Sequence, residues 1–254
     1  APSMQSIDKR QVPLPPGLNQ RLWTHLLHWL SEKRSRRALN GVVLVVDLMQ
    51  LLNGPATYRQ ALAQRLRTRL YELTAELGTR LPLYVVLTKL DLLAGFEELF
   101  AGLPASSREA VTGFGFSLDG VADFDAWLDE FGQQLDRFVV LLGEHTLDAM
   151  ASARDQAARQ RLVSLQGNLA GMRPWLKGFF EQALGSDRFT TPVLVRGIYF
   201  ASVMQKGLVH NPFVEIVATS HGFLPQPGDA KPRGSDRVYF AQRLFQRAIY
   251  PEAG

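Results

Sequence analysis

Apolar positions recur along this chain with two periods, and the switching between them predicts an α/β fold. Leu22, Leu26, Trp29 and Leu30 repeat at helical spacing, which predicts a first helix over about 18–36 with those four as its buried stripe. The basic run Lys33-Arg34-Ser35-Arg36-Arg37 at its end suits the negative pole of a helix dipole. Gly41-Val42-Val43-Leu44-Val45-Val46-Asp47 follows without alternation, the pattern of a strand covered on both faces. Leu62, Leu66, Leu70, Leu73 and Leu77 then predict a helix over 58–77, stopped by Gly78. Leu83-Tyr84-Val85-Val86-Leu87 reads as a second buried strand and Phe114-Gly115-Phe116-Ser117-Leu118 as a third, with short helical stretches between them. Strands alternating with helices of more than ten residues predict right-handed crossovers and a doubly wound, mostly parallel sheet.

Beyond Asp123 the period stays helical for about sixty residues. Phe124, Trp127, Leu128, Phe131, Leu135, Phe138 and Leu142 form a wide apolar face, and a second helical stretch follows over 154–184, where Pro174 should break or kink it. The aromatic content of this block exceeds what one covering layer needs, so part of it is expected to meet a partner subunit. Strand pattern returns over 192–200, followed by a short helix over 213–220 and a Pro/Gly-rich loop over 222–234. A last helix is expected from Ser235, a good N-cap, to Tyr250. The organisation read from this is a flexible lead-in over 1–20, an α/β core over 21–122 and 190–254, and a helical extension over 123–189. The absence of an initiator methionine before Ala1, and a stop directly behind a helical pattern, suggest a piece of a longer polypeptide.

Composition narrows the chemistry. Of 254 residues, 46% are hydrophobic and 20% charged, which is ordinary globular usage. With no cysteine, disulfide frameworks, thiolate zinc sites and cysteine nucleophiles are excluded together. No apolar run approaches the ~20 residues that span a bilayer. A net charge of +4, without a basic stripe interleaved with aromatics, argues against nucleic acid as a partner. Arg59, Arg65, Arg67 and Arg69, with the basic run after the first helix, read as solvated helix faces; the sharper alternative is attraction to anionic lipid or an acidic protein surface. His25 and His28 lie three apart with no carboxylate ligand beside them, and His145, His210 and His221 stand alone, so packing or surface placement is the reading for all five.

Thr88-Lys89-Leu90-Asp91 is the most specific local signal, because it ends a buried strand, where α/β sheets hold their ligands. Asn/Thr-Lys-x-Asp is the base-recognition motif of GTPases: the carboxylate accepts two hydrogen bonds from guanine and the lysine stem lies across the base. The plainer alternative is that Asp91 caps the next helix and Lys89 is a solvated strand end. A second base contact is expected from a Ser-Ala type turn after the following strand. Ser117 stands 26 residues beyond Asp91 at such a place, and Ala201-Ser202 is a competing candidate. Asp47 is read as a turn or cap residue rather than a metal-holding carboxylate. The chain contains no G-x-x-x-x-G-K-[ST] and no Asp-x-x-Gly near its start, so it offers no cradle for β- and γ-phosphates and no organised Mg²⁺. On this reading the chain by itself does not hydrolyse a nucleotide.

Several blocks together resemble one family. They are 37–44 (RALNGVVL), 81–96 (LPLYVVLTKLDLLAGF), 113–117 (GFGFS), 195–200 (VRGIYF) and 245–254 (FQRAIYPEAG), kept in order over roughly 20–254. The series is similar to the cytoplasmic part of the TssM/IcmF family, inner-membrane proteins of bacterial type VI secretion. That resemblance implies a GTPase-like, P-loop-NTPase-type α/β domain, here incomplete, with an added helical subdomain on the cytoplasmic face of the inner membrane. It implies a scaffold that docks TssL and baseplate components such as TssK and TssG, and that associates with itself. The periplasmic lipoprotein TssJ would meet only the periplasmic region. Thr88, Lys89, Asp91 and, in part, Ser117 carry over as cofactor-binding positions; no catalytic or metal residue does. GTP or ATP with Mg²⁺ would enter only through the full-length protein. The rival reading is a piece of an active NTPase that energises secretion.

Overall fold

The computed structural model describes residues 17–34, 38–117, 123–185, 193–203, 206–207, 233–234 and 238–253. In chain order the helices are α1 (Leu18–Lys33), α2 (Leu48–Asn53), α3 (Ala56–Leu77), α4 (Phe96–Phe100), α5 (Ala105–Arg108), α6 (Phe124–Ser152), α7 (Gln156–Leu184) and α8 (Tyr250–Ala253). The strands are β1 (Val42–Asp47), β2 (Pro82–Thr88), β3 (Thr112–Gly115), β4 (Leu194–Ala201), β5 (Lys206–Gly207) and β6 (Arg233–Gly234). A four-stranded sheet runs in the order β1-β2-β4-β3, and β5 pairs with β6 separately.

β1, β2 and β4 are mutually parallel, in keeping with the mostly parallel sheet expected. β3 is antiparallel to β4, pairing Thr112 with Phe200 and Gly115 with Gly197. The third predicted strand is therefore not a further parallel crossover. The chain between β2 and β3 forms the short helices α4 and α5 and brings Thr112 beside Phe200, at the end of the sheet where β2 finishes, so β3 sets out from there in the opposite direction.

Alternation along the strands sorts their side chains onto two faces. Leu83, Val85 and Leu87 of β2 join Ile198 and Phe200 of β4 beneath the helices. Tyr84, Val86, Tyr199 and Ala201 point the other way, toward Leu244 and Ile249. The first face carries the main core, filled by Phe131 and Leu135 of α6 and by Leu169, Met172, Phe179 and Phe180 of α7. Phe138 stacks on Phe200 with ring centroids 4.7 Å apart, and Phe131 meets Phe180 edge-on at 5.2 Å. Within its described part, the helical block thus shares one core with the sheet and acts as its cover.

Pro174 does not break α7, which runs unbroken through it. Leu169 and Met172 on one side and Leu176, Phe179 and Phe180 on the other are all buried in the same core, so both halves are fastened to it while Pro174 stays exposed. Gly78 ends α3 at φ 62°, the left-handed stop read from the sequence. Gly95, at φ 90°, opens α4 against the Arg161 carbonyl of α7, where a Cβ would collide.

Three other expectations are corrected. The stripe of α1 is rotated: Leu27 and Leu30 are buried, whereas Leu22, Leu26 and Trp29 are 57, 45 and 47% exposed. Among the described elements α1 packs chiefly on α3, and the strip facing that helix is the one covered. β1 is not covered on both faces, since it is an edge strand and Val45 is 63% exposed. The last helix starts at Leu244 rather than Ser235, as a π-helical turn (Phe245–Ile249) running into α8. Upstream of it Tyr239 bridges Ser202 and Phe240 adopts φ 61°, which helical backbone cannot accommodate. The expected short helix over 213–220 lies outside the described residues.

Candidate functional site

The three parallel strands end level. Asp47 pairs in register with Thr88, and Thr88 with Ala201, so the residues at and just past these positions converge at one end of the sheet. Thr88 Oγ1 donates to the Val46 carbonyl at 3.2 Å, tying β2 to β1. The chain then turns sharply at Lys89, which takes φ 66° and opens a 3₁₀ turn (Leu90–Leu92). This left-handed backbone is uncommon for a residue with a Cβ. It swings the Lys89 side chain back over β1, where Nζ sits 2.5 Å from Asp47 Oδ2.

Asp47 does two things at once. Its Oδ1 accepts from the Gln50 N–H at 3.1 Å, capping α2, while Oδ2 takes Lys89. The cap role was legible in the sequence; the ion pair was not.

Asp91, two residues on, is turned the other way, toward β4. Its carboxylate accepts a hydrogen bond from the Ser202 hydroxyl. Ser202 is itself 2% exposed and held by reciprocal backbone bonds with Tyr239 at 2.9 and 2.8 Å. Burial pushes the Asp91 carboxyl above its ordinary pKa, and the Ser202 hydroxyl, its own backbone N–H and the Lys89 charge only partly oppose that.

Of the sequence candidates, Thr88, Lys89 and Asp91 therefore meet at the strand tips, joined by Asp47 and Ser202. Ser117 does not join them. β3 runs antiparallel, so the residues after Gly115 lie at the opposite end of the sheet, where Arg196 donates to the Phe116 carbonyl at 3.0 Å and Ser117 is exposed. The competing pair Ala201-Ser202 occupies the tip instead, because β4 is parallel to β2. A buried strand of the same direction is the signal that separates the two serines, and strand direction is not written in a four-residue strand.

Chemically, this corner holds two carboxylates that can accept, Asp47 and Asp91, and one lysine that can donate, each already engaged by a neighbour. Among the described residues no group of three or more His, Asp or Glu is placed to hold a metal ion. His28 lies on the surface, 3.3 Å from Glu32 and 3.8 Å from Glu76.

A second feature had no sequence signal. A cavity of about 290 Å³ lies between the first turn of α3 and the later half of α7, lined by Arg59, Gln60, Pro174, Trp175 and Phe179 among others. The Arg59 guanidinium lies 3.9 Å from the Trp175 ring centroid and donates to the Gly54 carbonyl. Burial lowers its pKa from the usual arginine value.

Comparison with known proteins decides the family. The profile of the IcmF-related N-terminal domain matches residues 17–254. The chain belongs to this family. The IcmF-related domain is also 32% identical over 232 residues to the type VI secretion system component TssM1 of Pseudomonas aeruginosa, covering 91% of this chain and 21% of that protein. It thus spans about a fifth of the length of that relative. No solved structure matches the chain. Among the described residues of this IcmF-related domain, no helix is long and apolar enough to cross a membrane.

Proposed function

We propose that this IcmF-related domain is a docking module of a type VI secretion membrane complex, working at the cytoplasmic face of the inner membrane. Its partners on this reading are TssL, baseplate proteins such as TssK and TssG, and further copies of itself; TssJ would be reached only by other parts of the polypeptide. One observation carries the reading against nucleotide chemistry in this chain. The polar groups that would read a base are engaged with one another, Lys89 with Asp47 and Asp91 with Ser202. They act as a clasp that fastens the tips of β1, β2 and β4. The similarity to TssM1 supports the assignment to secretion.

A second reading is favoured by the same corner. Asp91 and Ser202 stand together just past the tips of the adjacent parallel strands β2 and β4, where a base pocket would need them. In the intact protein GTP or ATP with Mg²⁺ would then enter by opening the clasp, and an NTPase would use it.

The two readings separate in one pair of measurements. Titration of this chain with fluorescent GTP and ATP analogues and Mg²⁺ is expected to give no saturable signal, while immobilised chain captures the cytoplasmic region of TssL. Saturable nucleotide binding that Asp91→Ala abolishes, without TssL capture, would replace docking by the NTPase reading.

A further inference from the structure

Leu22, Leu26 and Trp29 stand at i, i+4 and i+7 on α1, and all three are about half exposed or more. Leu18 precedes them on the same line and Lys33 follows one turn on. The opposite side of the helix is already committed. Leu27 and Leu30 are buried, and Trp23 Nε1 donates to Glu72 of α3 at 2.6 Å. α1 therefore carries two apolar strips, one that fastens it to α3 and one that is bare. Single exposed apolar residues are ordinary, but a strip of two leucines and a tryptophan along one helix is a contact surface.

Charge selects the occupant. Arg21, Lys33 and Arg34 are exposed, and none has a carboxylate partner among the described residues. Arg21 lies about 100° around the helix from the strip, by the helical period. Lys33 ends the strip and Arg34 caps the helix. The helix has a single carboxylate, Glu32, and it is turned to His28. In sequence the cations continue as Arg36 and Arg37. An apolar protein patch would match the strip and leave these cations unanswered. An anionic bilayer matches both, with acyl chains beneath a layer of phosphates. Tryptophan and lysine at the edge of such a strip suit the headgroup boundary, their apolar bodies inward and polar ends in water.

We propose that α1 lies in the headgroup layer of an anionic membrane, inserting Leu22, Leu26 and Trp29 while Arg21, Lys33 and Arg34 meet lipid phosphates. This inference stands apart from the nucleotide reading, which concerns the strand tips, and from the docking reading, whose test is capture of TssL rather than binding to lipid.

Co-sedimentation of the full chain with vesicles of phosphatidylglycerol and phosphatidylcholine, against phosphatidylcholine alone, tests it. Binding is expected only to the anionic vesicles. It should fall roughly tenfold or more for Leu22→Ser/Leu26→Ser/Trp29→Ser and for Lys33→Glu/Arg34→Glu, and weaken with salt. A Trp29→Phe variant keeps the strip apolar, so it should still bind while losing the blue shift in tryptophan emission that vesicles induce. No binding to anionic vesicles, equal binding to neutral ones, or an unchanged blue shift in Trp29→Phe would overturn the proposal. So would a dimer in sedimentation equilibrium that the triple serine variant dissolves, since the strip would then be a self-contact.

Discussion

The two faces of the central sheet are built from alternate residues of the same strands, yet they are covered very differently. One face lies under α3, α6 and α7, with interlocked phenylalanines, and α1 rests outside α3 as a further layer. Among the described residues the other is covered by the turn before α8, through Leu244 and Ile249, with Val43, Val111, Ala241 and Ala248 at its margin. That thin cover runs out at β1, leaving Val45 exposed. A strand's own pattern calls for burial on both faces, but what it receives depends on which distant elements come to lie across it.

The largest expected effect is on the thick side. Phe131→Ala removes a fully buried ring that contacts Phe114, Trp127 and Phe180, and should cost about 3–5 kcal/mol, read from urea denaturation. Ile249→Ala on the thin side should cost about 2 kcal/mol, because its surroundings can collapse into the gap. Equal losses from the two variants would break the comparison, since the thin cover would then carry as much as the thick one.

The outer layer of the thick side gives a smaller effect. Glu72 receives Trp23 Nε1 from α1 and Arg69 Nη1 at 2.7 Å. Glu72→Gln should loosen α1 by about 1 kcal/mol, seen as faster amide exchange in that helix with little change in the global midpoint. Burial pushes the Glu72 carboxyl upward, but the hydrogen bonds from Arg69, Trp23 and Gln20 outweigh it and leave the pKa below its ordinary value. Its contribution is therefore present above the ordinary carboxylate pKa and fades as pH falls through the lowered folded value.

Asp91 should show the opposite sign, and the smallest effect. Its pKa is raised in the folded state, so folding holds its proton more tightly. Stability should decline as pH rises from the ordinary aspartate range through the raised folded value. Asp91→Asn should flatten that segment of a stability–pH curve measured by stepped denaturant titrations. A slope that survives the substitution would place the titrating group elsewhere.

How much of this was legible from residues alone varies with the length of the signal. β1 and β2 announced themselves as aliphatic runs, β4 as a strand pattern, and α3, α6 and α7 as long periodic stretches, because such patterns persist over many residues. The site was only half legible. Thr88-Lys89-Leu90-Asp91 marked the strand tip, but Ser117 and Ser202 looked alike as its companion. The choice between them turned on whether β3 runs with or against β4, and four residues with glycine at two positions do not encode that.

The sequence by itself determined the long helices and the main strands, and that a lysine and an aspartate end a buried strand, since both follow from local spacing and steric preference. Only the tertiary structure decided that Lys89 turns to Asp47 and Asp91 to Ser202, that Arg59 lies on Trp175, and which strip of α1 is bare. Those outcomes depend on which distant elements arrive alongside, and a helix with apolar residues on two sides cannot say which of them its neighbour will cover.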